Sequence, residues 1–171
     1  MLTEIDAVAF LEGQHWEVND LFKELGKAST PAKKAMLFRE IADKLAVHAA
    51  IEEKVFYPAV KARQTEDILL ESLEEHLGIK RLIADLMAIS PEDETFDAKA
   101  QVLRAQVEHH ILEEEGDLFP KVEALMDGDT LIAIAQAMAM MLDEILSTDT
   151  PPRDAIPSET HAVVQLPETP F

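Results

Sequence analysis

One pattern in this chain occurs twice, and it narrows the folds open to the sequence more than any other feature. His48-Ala-Ala-Ile-Glu52-Glu53-Lys-Val-Phe56-Tyr57-Pro58 returns 62 residues on as His110-Ile-Leu-Glu-Glu114-Glu115-Gly-Asp-Leu118-Phe119-Pro120. At nearly the same shift, 61, His15 maps onto His76. Each half therefore reads as a helix with one inward histidine followed by a helix with His-x-x-x-Glu. Residues four apart on a helix lie about 40° apart around the axis and about 6 Å along it, so His48 and Glu52 point the same way, as do His110 and Glu114. Two such halves packed about a pseudo-twofold axis bring His15, His48, Glu52, His76, His110 and Glu114 to one centre.

Apolar periodicity and start signals predict the helices that carry these groups. The first starts after Thr3 as its cap and runs to about residue 27. Thr30-Pro31 restarts the chain, and a second helix stops before Pro58. A third spans about 65–89, a fourth about 96–119 before Pro120, and a fifth about 130–147. The expectation is an all-α, antiparallel up-down four-helix bundle with an extra C-terminal helix. Residues 1–147 form the bundle domain, with its core at about 3–125 and the extra helix at about 130–147. Residues 148–171 are rich in proline, lack apolar periodicity and read as a flexible or loosely docked tail.

Composition removes competing chemistries. With no cysteine there are no disulfides, thiolate metal sites or iron–sulfur clusters, leaving His, Asp and Glu as metal ligands. Acidic residues number 34 against 15 Lys and Arg, a formal charge of −19. A surface of that sign repels nucleic-acid phosphates and anionic membranes, so neither is an expected partner. The apolar stretch from Leu131 to Leu142 is too short to cross a bilayer, and the N-terminus lacks the pattern of an export signal. The default expectation is a cytoplasmic protein with a small-molecule ligand.

Four imidazoles and two carboxylates, without sulfur, suit iron, manganese or zinc. Six groups are too many for one ion that must also admit a substrate. If Glu52 and Glu114 each bridge two ions, each ion receives two histidines and two carboxylate oxygens. An oxo or hydroxo bridge makes five, leaving roughly one open position per octahedral ion. A lone His-x-x-x-Glu on a helix is usually a surface pair. The repetition argues otherwise, because four inward histidines without partners are costly to bury. The order and spacing also differ from the Glu-x-x-His of ferritin-like di-iron bundles.

His15, His48-x-x-x-Glu52, His76 and His110-x-x-x-Glu114, with Phe-Tyr-Pro and Leu-Phe-Pro closing the motif helices, resemble the hemerythrin HHE cation-binding domain over about residues 3–125. That resemblance implies an up-down bundle around two non-haem iron ions, oxo- or hydroxo-bridged, on those six residues. It implies a reaction with dioxygen or hydrogen peroxide, catalase-like peroxide breakdown in oxidative or nitrosative stress being the favoured expectation. The alternative is a protein that binds or senses dioxygen, nitric oxide or iron without turnover. One departure stands out: true hemerythrins carry a fifth iron-binding histidine four residues from another on the third helix. Here the positions at that spacing from His76 are Ser72 and Lys80. A more symmetric, more open pair of irons is implied.

Other residues have plainer expectations. His109 is rotated about 100° from His110 and belongs to the flank, and His161 to an exposed tail. Phe56 and Leu118 should wall the site from water. Tyr57 should pack with its hydroxyl outward, the functional alternative being a hydrogen bond into the site. Lys80 is either a surface lysine or one leaning over the open metal face, and Asn19 occupies the matching position in the first half.

Overall fold

The computed structural model describes residues 4–168, and among them every regular element is a helix. Helix α1 spans Ala7–Lys27, and Asp6 starts it by accepting a hydrogen bond from the Ala9 N–H at 2.9 Å. Thr3, the cap expected from the sequence, lies outside the described residues. Helix α2 begins with Pro31 at its first position, where a missing N–H costs nothing, and Thr30 accepts from the Lys33 N–H. Helix α3 covers Glu66–Met87, and α4 starts at Phe96. Helix α5, Gly128–Leu146, is capped by Asp127.

The two motif helices do not stop at their prolines. The α2 segment Pro31–Ile51 widens into a π turn at Glu52–Phe56 and resumes as Tyr57–Val60. The α4 segment Phe96–Glu113 does the same at Glu114–Leu118 and resumes as Phe119–Leu125. In a regular helix the ring of Pro58 or Pro120 collides with the carbonyl four residues back. The wider turn removes that collision. The Tyr57 N–H bonds to the Glu52 carbonyl and the Phe119 N–H to the Glu114 carbonyl, both five residues back. The widening therefore falls on the two motif glutamates.

The apolar side chains form two cores rather than one. The first gathers Leu11, Ile51, Phe56, Leu69, Phe119 and Met138, from the start of α1, the ends of α2 and α4, the start of α3, and α5. The second gathers Phe22, Phe38, Ile41, Ile83, Phe96 and Leu103 at the opposite end of the bundle. Burying each such side chain is worth about 1.5–3 kcal/mol. The layer between the two cores holds the polar residues of the repeat.

The proline-rich segment, expected from its composition to be flexible or loosely docked, is docked. Pro152–Glu159 forms a 3-10 helix whose Ile156 is buried within the second core. Arg153 donates from its backbone N–H and its Nη1 to the two carboxylate oxygens of Asp43, at 3.0 and 2.7 Å. Arg81 holds the Thr160 carbonyl, and Lys61 the Pro167 carbonyl. Val163, Val164 and Leu166 pack against the first core, and these scattered apolar residues with three cationic clamps do what periodicity did not advertise. Among the described residues no helix is long and apolar enough to cross a membrane.

Candidate metal centre

All six residues singled out from the repeat converge in the layer between the cores, and each is buried. His48 Nε2 lies 3.1 Å from Glu52 Oε1, and His15 Nε2 lies 3.3 Å from Glu114 Oε1. On the other side His76 Nε2 lies 3.0 Å from Glu52 Oε2, and His110 Nε2 lies 3.1 Å from Glu114 Oε1. The groups divide into a first pocket, His15 and His48 with both glutamates, and a second, His76 and His110 with Glu52. Glu52 belongs to both.

Each imidazole is oriented from behind by its Nδ1. His15 Nδ1 meets Glu115 at 2.8 Å, His48 meets Gln14 at 2.7 Å, His76 meets Glu53 at 2.9 Å and His110 meets Glu75 at 2.6 Å. A carboxylate or an amide oxygen can only accept, so each Nδ1 carries the proton and donates it. Each neutral ring then presents a bare lone pair at Nε2. In the second pocket two such lone pairs face each other, His76 Nε2 and His110 Nε2 at 3.1 Å. In the first, His15 Nε2, His48 Nε2, Glu52 Oε1 and Glu114 Oε1 are buried with no hydrogen-bond partner. Converging acceptors without donors need a cation, and nitrogen plus carboxylate oxygen is a donor set that fits a transition metal such as iron.

Protonation reports the same demand. Burial alone would lower the His15 and His76 pKa values, but hydrogen bonds and charge from the glutamates raise both. His110 is likewise opposed by burial yet raised well above the ordinary value by Glu114, Glu52 and Glu75. Glu52, though buried, is held well below the usual carboxylate range by His48, His110 and His76. His15, His76 and His110 therefore take up a proton more readily than a free imidazole, so protons compete with a metal at these rings.

Tyr57 departs from the plainer expectation. It is fully buried, and its hydroxyl lies 3.0 Å from both Glu52 Oε2 and Glu114 Oε2. With regular α-periodicity Tyr57 would sit roughly 180° from His48, on the outside of the bundle. The π turn takes up one residue and swings it back toward Glu52. Burial, then the charges of Glu114 and Glu52, push its pKa well above the usual value, so it remains a proton donor. Phe119, its counterpart in the second repeat, stacks on His15 with the rings 5° from parallel.

Phe56 and Leu118 are fully buried, as expected of walls, and His109 is on the flank, within ion-pair distance of Glu75 and Glu113. Lys80 is neither a surface lysine nor aimed at the open face. It is buried and paired with Glu53 at 2.9 Å and with Glu159 at 3.4 Å. The sequence reading missed the residues behind the imidazoles. Their signal was present: both motif glutamates are followed by another (Glu53, Glu115), and both lone histidines are preceded by an acceptor (Gln14, Glu75). A cavity of about 900 Å3 reaches the four histidines, walled by Val18, Leu45, Ile79, Val107 and Ile111, and by Ile156 and Glu159 of the docked segment.

A family model described as the hemerythrin HHE cation binding domain matches residues 6–122. The chain belongs to the hemerythrin HHE cation-binding family. Its fold is similar to a crystal structure of a hemerythrin HHE cation binding domain-containing protein from Mycobacterium kansasii, with a TM-score of 0.72 over 92% of this chain and 95% of that one. Identity there is 19%, so the likeness speaks for the hemerythrin-like fold alone. In sequence the chain is 35% identical over 108 residues to a protein named DNA nickase from Nostoc sp.. The match covers 63% of this chain but only 31% of that relative, so the hemerythrin-like chain corresponds to about a third of it.

Proposed function

We propose that the chain holds two iron ions, oxo- or hydroxo-bridged, on His15, His48, Glu52, His76, His110 and Glu114, and reacts there with dioxygen or hydrogen peroxide, with catalase-like peroxide breakdown as the favoured activity. One observation carries this reading: bare Nε2 atoms and carboxylate oxygens converge in a buried layer, and His15 Nε2, His48 Nε2, Glu52 Oε1 and Glu114 Oε1 have no hydrogen-bond partner there. When bound, the iron pair supplies a two-electron redox couple; the chain's own residues supply the rest. Gln14, Glu53, Glu75 and Glu115 orient the four imidazoles. Tyr57 holds a proton between the two glutamates. The two apolar cores keep bulk water from the layer. Defence against oxidative or nitrosative stress is the role this activity suits.

The apolar walls of the cavity favour a second reading, reversible binding or sensing of a weakly hydrated ligand such as dioxygen or nitric oxide. The missing fifth histidine weighs against carriage, because neither Ser72 nor Lys80 replaces it. Lys80 is taken by Glu53 and Glu159, and Ser72 is buried against Tyr57. DNA cleavage is not proposed, since a charge of −19 opposes phosphate binding. The test is iron-loaded protein assayed for peroxide loss and for reversible oxygenation in one preparation. Peroxide consumption above that of free iron supports the enzyme. An oxygenated spectrum that reverses at low oxygen pressure, with no peroxide loss, replaces it with the binder.

A further inference from the structure

The two halves of the centre are related by the repeat, yet the residues behind the imidazoles are not. His76 and His110 are backed by two carboxylates, Glu53 and Glu75. His48 is backed by the neutral amide of Gln14, although Gln14 occupies the same place before His15 as Glu75 does before His76. His15 does have a carboxylate behind it, but the Glu115 side chain is 39% exposed where that of Glu53 is 5%. Water therefore screens it.

Three further differences run the same way. Tyr57 stacks on His76 and gives a hydroxyl to the second pocket, whereas Phe119 stacks on His15 and gives none. Four buried acceptors without partners, His15 Nε2, His48 Nε2, Glu52 Oε1 and Glu114 Oε1, meet at the first pocket. Gln14 itself lines the cavity that reaches the histidines, and His48 is the least buried of the six residues.

From this we infer that the two metal positions are unequal: the His76/His110 position fills first and holds its ion tightly, and the His15/His48 position fills second and exchanges. The inference rests on the two-metal reading above. An imidazole whose Nδ1–H donates to a buried carboxylate is a more basic ligand than one donating to an amide, and outer-shell partners of this kind change metal affinity about 10–100-fold. The Lys80 cation beside Glu53 does not cancel the difference, because Glu159 offsets it from the other side. The exchangeable ion is the one whose backing residue, Gln14, lines the cavity, where a small ligand or a chelator arrives.

The experiment is an anaerobic calorimetric titration of the metal-free chain with ferrous ion, repeated with Gln14→Glu and Glu75→Gln, with helix content followed by circular dichroism. The wild-type chain should show two steps separated by at least about tenfold in affinity. Gln14→Glu should tighten the second step by about tenfold and narrow the gap, a gain that damage to the fold does not produce. Glu75→Gln should loosen the first. Two equal steps in the wild type, or a gap that Gln14→Glu leaves unchanged, would overturn the inference while leaving the two-metal reading intact. A chain that takes up no ferrous ion defeats both.

Discussion

Tyr57 and Phe119 show how much one residue decides in this centre. They occupy equivalent places in the repeat, but only Tyr57 supplies a donor, to Glu52 and Glu114 at 3.0 Å each. Tyr57→Phe should leave iron content near that of the wild type and lower peroxide turnover about tenfold or more, since a positioned donor is worth at least that much. Unchanged turnover would assign the hydroxyl to packing alone. Glu52 behaves differently, because it belongs to both pockets. Glu52→Ala should lose both ions, measured as iron per chain, whereas His48→Ala should weaken one ion more than the other. Protonation gives a third test at this scale. His15, His76 and His110 are raised above 6.5 in the metal-free chain, so their stabilisation is present below 6.5 and lost as pH rises through the raised values. Glu52 and Glu114 are depressed below 4.5, so theirs is present above 4.5 and lost as pH falls through the depressed values. The metal-free chain should therefore be most stable between about pH 4.5 and 6.5. Metal binding displaces the histidine protons and should tighten as pH rises. Thermal melts with and without iron from pH 5.5 to 8.5 should diverge upward; a constant gap would contradict the protonation scheme.

At the scale of elements, the helices with a plain 3.6-residue period and a side-chain cap were legible. Thr30-Pro31 marked the start of α2, and α5, expected from about residue 130, starts at Gly128 behind its cap Asp127. All six residues of the centre could be placed from their spacing and repetition alone. What α-periodicity did not express is the π turn. It depends on Pro58 and Pro120 six residues after the motif glutamates, and a helix written with a fixed period simply stops there. Tyr57 was misplaced for that one reason. The docked C-terminal segment was illegible for another: its attachment uses scattered apolar residues, Ile156, Val163, Val164 and Leu166, and polar clamps to distant helices, with no repeating stripe. Ile156→Ala tests how firmly it is attached. The side chain is 1% exposed and sits in the second core, so its removal should cost about 2–5 kcal/mol in a denaturant melt. A loss near zero would restore the flexible tail.

For the whole molecule, the arrangement of two apolar cores about one polar layer couples folding to metal. Each core is assembled from the same four long helices, so neither can form without drawing the layer together. The layer then holds Glu52 and Glu114 fully buried, together with four histidines at most 8% exposed. In the metal-free chain, proton uptake by His15, His76 and His110 offsets part of this charge, but His48 Nε2 and Glu52 Oε1 still lack partners. A metal ion bound in the layer would replace that incomplete compensation with direct ligation. An ion present at about a hundred times its dissociation constant stabilises the folded chain by about 2.7 kcal/mol, and two ions by about twice that. In a chain of 171 residues each kcal/mol moves the melting temperature by about 2–4 °C, so stripping both ions should lower it by roughly 10–20 °C. The loss should also be visible as faster amide exchange around Glu52 and Glu114, where the π turns already leave the helices with wider hydrogen-bonded rings. Differential scanning calorimetry of the iron-loaded and chelator-stripped protein at one pH measures the shift directly. Melting temperatures within about 3 °C of each other would mean that the two cores, and not the centre between them, carry the stability of the bundle.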